Sequence, residues 1–200
     1  MRIMKRLLLG TRNPGKIEEM KYLLADLEGL TLLTFLDCPF SEVDETGLSF
    51  LDNALLKVRA VACETGFGVL AEDAGLEVAA LGGEPGVRSA RYAGIPVDHV
   101  RNNELLLERL EGVEDRCARF VAVAALQLPN GEVFVTTGVL PGTIVTVPMG
   151  DGGFGYDPLF LPEGGTRTLA ELSIEEKNRT SHRMQALRRM RPILRDLTDV

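Results

Sequence analysis

The sequence predicts an α/β protein built on a mixed β-sheet. Three observations carry this. Short apolar runs of strand length recur between segments whose apolar residues have helical spacing. Two β-rich segments, 119–128 and 132–140, are separated only by Pro129-Asn130-Gly131, a hairpin signal, so the sheet is not all parallel. The chain has 200 residues, 45% of them hydrophobic, enough for a substantial core. No repeat, low-complexity tract or linker divides it, so residues 1–200 read as one domain.

The elements follow in order. Leu7-Leu8-Leu9 is a buried strand. Residues 16–27 place Ile17, Met20, Leu23, Leu24 and Leu27 at helical spacing. Residues 32–35 read as a strand. Ser49 opens a second helix, with Asp52 three residues on as a capping-box variant and Phe50, Ala54, Val58, Val61 and Ala62 as its apolar face. Residues 68–71 are a short buried strand. Asp98 caps a third helix that runs to Leu110. After the hairpin, Pro141-Gly142 breaks the chain before a further strand at 143–147. Ser181 caps a last helix with Met184, Leu187, Met190, Leu194 and Leu197 inward. The glycine-rich stretch 150–155 is too short for a linker and reads as a site loop.

Composition narrows the function. A net charge of −7 argues against a nucleic-acid polymer as partner, because tracking phosphates needs a basic face. A small anionic ligand needs only a few local cations. No apolar stretch approaches the roughly 18 residues of a membrane span, and no cleavable signal pattern opens the sequence. A cytoplasmic protein with no membrane partner is expected. Cys38, Cys63 and Cys117 form no Cys-x-x-Cys pair, and His99 and His182 are the only histidines, so neither zinc nor a disulfide framework is indicated. A hard cation held by carboxylates is compatible.

Four segments carry candidate chemistry. The run Gly10-Thr11-Arg12-Asn13-Pro14-Gly15-Lys16 joins a strand to a helix and gathers backbone N–H groups, a hydroxyl, an amide and an ammonium, an anion site of the phosphate kind. Its spacing fits a P-loop, but Ile17 stands where Mg²⁺ requires Ser or Thr. The strand at 68–71 ends in Glu72-Asp73-Ala74-Gly75. Paired carboxylates there suit Mg²⁺ ligation or water activation, and equally a plain polar turn. Read with the Gly-Lys turn they also imitate a Walker B end, which keeps a P-loop ATPase or kinase open. Glu45 is a third possible metal carboxylate or part of a solvated turn. Asn53 and Lys57, four apart on a helix, ordinarily face solvent. Gly152-Gly153-Phe154-Gly155-Tyr156-Asp157-Pro158 either brings backbone close to a flat ligand, with Phe154 stacking and Asp157 accepting a ring N–H, or is a tight turn plugged by Phe154. His182 and Arg183 are cations in a helix's first turn, against its dipole, and an anion or carbonyl ligand explains them.

Taken together these segments resemble the inosine triphosphate pyrophosphatases, which hydrolyse deaminated purine nucleoside triphosphates. The resemblance runs through 11–16, Glu45-Thr46-Gly47-Leu48-Ser49-Phe50 with Asn53-Ala54 and Lys57, Ala71-Glu72-Asp73-Ala74-Gly75-Leu76, 82–87 with Ser89-Ala90-Arg91-Tyr92, 154–158, Glu176-Lys177-Asn178 and Ser181-His182-Arg183. Each piece alone is weak, and the ordered set is specific. The resemblance implies an elongated mixed sheet flanked by helices, two lobes with the active site in the cleft, and a homodimer. It implies hydrolysis of ITP, dITP or XTP to the monophosphate and pyrophosphate with Mg²⁺. Residue by residue, it makes Thr11, Asn13, Lys16 and Lys57 triphosphate contacts. Glu45 and Asp73 become metal ligands, with Asp73 also the base. Phe154, Gly155, Tyr156, Asp157, Lys177, His182 and Arg183 become the nucleotide pocket. Two departures stand out. Ala74 replaces the Ser or Thr frequent in the family and removes a hydroxyl from the phosphate side. Glu72 replaces a frequent Asp and is one methylene longer, which leaves its place among the metal ligands open. A nucleotide-binding regulator of the same fold is the non-enzyme alternative, and retention of Glu45 and Asp73 argues against it.

Overall fold

The computed structural model describes residues 5–198, and the side chain of Asn178 in the resemblance motif lies outside the described set. Its elements run β1 (Arg6–Leu9), α1 (Pro14–Leu24), β2 (Thr31–Leu33), α2 (Phe50–Thr65), β3 (Gly68–Val78), α3 (His99–Arg109), β4 (Cys117–Gln127), β5 (Val133–Ile144), β6 (Phe160–Pro162), α4 (Ile174–Thr180) and α5 (His182–Thr198). The strands form one six-stranded sheet in the order β2-β1-β3-β4-β5-β6. β1 pairs in parallel with β2 and β3, and β5 pairs antiparallel with β6. The sheet is therefore mixed and carries flanking helices, as the sequence predicts. No described helix is long and apolar enough to cross a membrane.

Two compact units share the strands. Among the described residues the first comprises 5–73, 122–138 and 183–198. Its buried apolar side chains include Leu7, Leu8 and Leu9 on β1, Met20, Leu23 and Leu24 on α1, Val58 and Val61 on α2, and Val69 and Leu70 on β3. Leu7, Leu8 and Leu9 are all fully buried although successive strand residues point to opposite faces, so both faces of β1 are covered, which is why it reads as an unbroken leucine run. The second unit comprises 74–121 and 139–182. Its core gathers Leu76, Val78, Leu106, Leu110, Phe120, Leu140, Ile144, Leu159 and Phe160. Phe120 and Phe160 meet at 4.7 Å between ring centroids.

Local signals explain most boundaries. Asn13 caps α1 by accepting from Lys16 N, and Pro14 follows at the first helical position, where a missing N–H costs nothing. The Ser49–Asp52 capping box opens α2, and Gly66 closes it in a left-handed conformation. Asp98 caps α3 through the Val100 and Arg101 amides. Two readings need correction. β3 does not stop at Ala71 but runs on to Val78, so Glu72 and Asp73 lie inside the strand and not in a turn after it. β5 passes through Pro141-Gly142. The proline nitrogen has no donor, but its carbonyl serves Glu163 N, and a Cβ at Gly142 would meet Leu161 O at 2.4 Å. The pair is thus fitted to β6 rather than breaking the strand. β6 and α4 are too short to show a period in the sequence.

Candidate active site

Position in β3 decides the roles of Glu72 and Asp73, because successive strand residues point to opposite faces. Asp73 faces α2. Its Oδ1 accepts from Lys57 Nζ at 2.7 Å and its Oδ2 from Asn53 Nδ2 at 3.1 Å. Asn53 and Lys57 do not face solvent as expected. They are 0% and 8% exposed, because the α2 face that carries them packs toward β3. Asn53 Oδ1 accepts from Gly47 N at 2.8 Å, and a Cβ on Gly47 would fall 2.6 Å from that oxygen. Only glycine lets the Glu45-Thr46-Gly47 segment approach so closely. Glu45 is thereby brought to Lys57, with Oε1 2.7 Å from Nζ. The ammonium also donates to Glu72 O at 3.0 Å, so its three N–H bonds meet two carboxylates and one carbonyl.

Two opposing effects act on this pair. Burial pushes the Asp73 carboxyl up, and the nearby Lys57 recovers only part of that shift. Burial alone would lower Lys57, but Asp73 and Glu45 outweigh it and hold the ammonium charged. Asp73 remains a carboxylate of raised basicity held by two donors. That combination suits a general base.

Glu72 turns to the other side. Its Oε1 accepts from Arg183 Nε at 2.8 Å and lies 3.3 Å from Lys16 Nζ. Arg183 also donates Nη1 to Glu19 on α1. These are the anions that explain a cation in the first turn of α5. They belong to the protein itself, and Glu19, one turn from Lys16, carries no signal in the sequence of its partner 164 residues away. Burial opposes the Arg183 charge, but Glu72 and Glu19 more than restore it. Lys16 is lowered by burial despite Glu72. Thr11 and Asn13 brace the turn between β1 and α1: Thr11 Oγ1 accepts from Asn13 N and Asn13 Oδ1 from Lys16 N, each at 3.2 Å.

The second unit holds the other candidates. Asp157 Oδ2 accepts from Phe154 N at 2.9 Å and Lys177 Nζ at 2.6 Å. Gly153, at φ +72°, has no room for a Cβ beside that carboxylate oxygen. Lys177 Nζ lies 4.8 Å from the centre of the Phe154 ring, which is 38% exposed. Tyr156 is buried, donates its hydroxyl to Ser89 O at 2.9 Å, and is raised by burial. Gly155 O accepts from Asn103 Nδ2. His182 stacks flat on Phe120, 4.8 Å between centroids and 10° between planes. Ala74, half-buried beside Asp73, offers only a methyl.

A model of the Ham1 family matches residues 7–193. The chain belongs to the Ham1 family. A dITP/XTP pyrophosphatase of Thermus thermophilus is 51% identical over 194 residues, covering 96% of this chain and 92% of that protein. Among solved structures, the Ham1 protein of Staphylococcus aureus superposes with a TM-score of 0.88 at 38% identity, covering 96% of this chain and 99% of that one. A nucleoside-triphosphatase / dITP/XTP pyrophosphatase from Mycobacterium abscessus gives 0.78 at 45% identity, covering 94% and 99%. Ham1 membership bears out the resemblance drawn from the motifs, and these neighbours share the mixed-sheet fold.

Divalent metal is the cofactor a triphosphate hydrolase of this kind implies, and the oxygens here allow a test of fit. Among the described residues no three His, Cys, Asp or Glu are grouped to hold an ion unaided. Glu45 and Asp73 do converge on one cation, the Lys57 ammonium. Two carboxylates, with phosphate and water completing the shell, is the way Mg²⁺ is ordinarily held beside nucleotides. The pair fits. Glu72, committed to Lys16 and Arg183, fits less well.

Proposed function

We propose that the protein hydrolyses deaminated purine nucleoside triphosphates, the dITP and XTP named for its relatives together with ITP, to the monophosphate and pyrophosphate, and so removes them from the nucleotide pool. The observation that carries the reading is Asp73: a buried carboxylate of raised basicity, held by Lys57 and Asn53, with Glu45 on the same ammonium. In this reading Asp73 takes the proton of the attacking water. Lys16 and Lys57 bind polyphosphate oxygens, and the braced turn of Thr11 and Asn13 offers its polar groups to the same anion. Glu45 and Asp73 hold Mg²⁺, which supplies charge neutralisation on the phosphates. Phe154 stacks on the base, Lys177 and Asp157 fix that aromatic face, and His182 reaches the nucleotide from its stack on Phe120. Glu72 acts through Lys16 and Arg183. The active protein is a single two-lobed domain over 1–200, a homodimer in the cytoplasm.

A nucleotide panel tests this, with pyrophosphate and phosphate assayed separately and magnesium added or chelated. Monophosphate and pyrophosphate from ITP, dITP and XTP, with ATP poor, support the reading. Diphosphate and phosphate from ATP support the P-loop alternative, and tight inosine-nucleotide binding without turnover supports a regulator. Sedimentation at assay concentration tests the dimer.

A further inference from the structure

α3 touches the Phe154–Gly155 turn at two points one helical turn apart. His99, its first residue, sets its ring 6.5 Å from the Phe154 ring at a tilt of 52°. Asn103, four residues on and so on the same face, donates Nδ2–H to Gly155 O at 3.1 Å. The helix is a firm base for both. Asp98 caps it, and the buried Asn102 accepts from Ala93 N at 2.7 Å and donates to Ala90 O at 2.9 Å. The turn it supports belongs to no strand and has glycines of positive φ at 153 and 155. Backbone bonds fix its ends, from Gly152 N to Ala170 O at 3.0 Å and from Asp157 N to Phe154 O at 3.4 Å, and side-chain clamps hold what lies between. Asp157 grips it at Phe154 N, and Asn103 grips the carbonyl that follows Phe154. Asn103 Oδ1 is enclosed and has no hydrogen-bond partner among the described residues, so the bond to Gly155 is what orients the amide.

We propose that Asn103 is a positioning residue for base recognition, acting through Phe154, with His99 as a weaker support on the same helix face. The proposal rests on the reading of Phe154 as the surface on which the base stacks. Asn103→Asp isolates the effect. It is nearly the same shape, removes the Nδ2 donor and sets an oxygen against Gly155 O.

The test is a double-mutant cycle between N103D and F154A, with kcat and KM for ITP and ATP and a thermal melt of each variant. N103D is expected to raise KM for ITP about tenfold and to leave its kcat within about twofold, because a displaced stacking surface weakens binding more than the chemical step. It should also lower the ITP-to-ATP ratio of kcat/KM. In the F154A background it should add nothing. Additive losses overturn the proposal, as does a fall in kcat at unchanged KM. H99A, at an exposed position that does not threaten folding, gives a second reading: a smaller rise in KM that vanishes in F154A supports the proposal, and an effect that persists there overturns it. If F154A alone leaves KM and selectivity unchanged, the stacking role of Phe154 has failed and the proposal falls with it. If F154A acts but N103D and H99A do not, only the positioning role has failed.

Discussion

The ammonium of Lys57 donates to Asp73 Oδ1 at 2.7 Å. The same ammonium reaches Glu45 Oε1 at 2.7 Å and Glu72 O at 3.0 Å, so under the proposed metal-binding role of Glu45 and Asp73 a lysine occupies oxygens that a divalent cation would take. Lysine and metal then compete for the same oxygens. A phosphate group gives the displaced ammonium a new partner, so metal and nucleotide should bind with mutual help. Lys57→Gln keeps a polar side chain and removes the competing charge. The expected outcome is that Mn²⁺ alone binds this variant at least roughly tenfold more tightly than the parent, the scale of one close charge in a partly buried setting. Titration followed by the electron spin resonance of free Mn²⁺ measures it. Equal affinity in the two proteins removes the competition.

Asp73→Asn keeps the size of the side chain and removes both base and charge. Turnover of ITP is expected to fall roughly 10²-fold or more, the scale of general-base removal. Burial raises the Asp73 pKa in the metal-free protein, so where magnesium enters with the nucleotide the acid limb of kcat/KM, which reports the free enzyme, should lie above the ordinary carboxylate range. Activity is then present above that limb and lost as pH falls through it. The variant should lack the limb. A pH profile of kcat/KM for both proteins decides, and near-parental activity in the variant contradicts the assignment of Asp73.

Glu176 supplies a second titration. Its Oε1 accepts from Arg167 Nη2 at 2.7 Å and its Oε2 from Ser173 N at 2.9 Å, closing the box that starts the helix of Lys177. The Arg167 hydrogen bond, then the Ser173 amide, hold the carboxyl down at about 2 against an ordinary 4.5. A depressed folded pKa means that the cap's contribution is complete above the ordinary value and is lost as pH falls from there toward 2. Arg167→Gln should move the Glu176 midpoint back up, measured by carboxyl NMR, and start the acid loss of stability at higher pH. An unchanged midpoint shows that the arginine is not the cause.

These sites are legible in the sequence to different degrees, and the reasons are physical. Caps are local, so Ser49-Asp52 and Asp98 mark their helices in the sequence alone. The hairpin at 129–131 is equally local. Asn53 and Lys57 are visible as a pair but not as buried, because their partner Asp73 is 20 and 16 residues away and only the sheet brings it near. Glu19 and Glu72 meet through Arg183 at separations of 164 and 111 residues, which no periodicity records. Asn103 is hidden for the same reason, although its spacing of four from His99 is in plain view. Charges at the middle of β3 look like a strand end, and a strand buried with its charges paired looks no different in sequence.

Arg183 is bound to two carboxylates of the protein itself, and this bears on how it could serve the nucleotide. A guanidinium carries only donors, so it would suit the C6 carbonyl of hypoxanthine or xanthine and be left unpaired by the amine of adenine. On that ground Arg183→Ala would lower the ITP-to-ATP ratio. In the structure Nε is given to Glu72 Oε1 and Nη1 to Glu19, with Arg183 3% and Glu72 1% exposed. A guanidinium committed in this way braces the start of α5 against β3 and α1 and holds the carboxylate beside Lys16. Removing one partner of a buried ion pair leaves a charge uncompensated and costs roughly 3–5 kcal/mol. Arg183→Ala is therefore expected to lower unfolding stability by about that amount, measured in urea, and to reduce kcat/KM for ITP and ATP by the same factor. Pairing it with Glu72→Gln sharpens the test, since the double variant should lose less than the sum of the two. A fall confined to ITP, with stability intact, would return Arg183 to base reading.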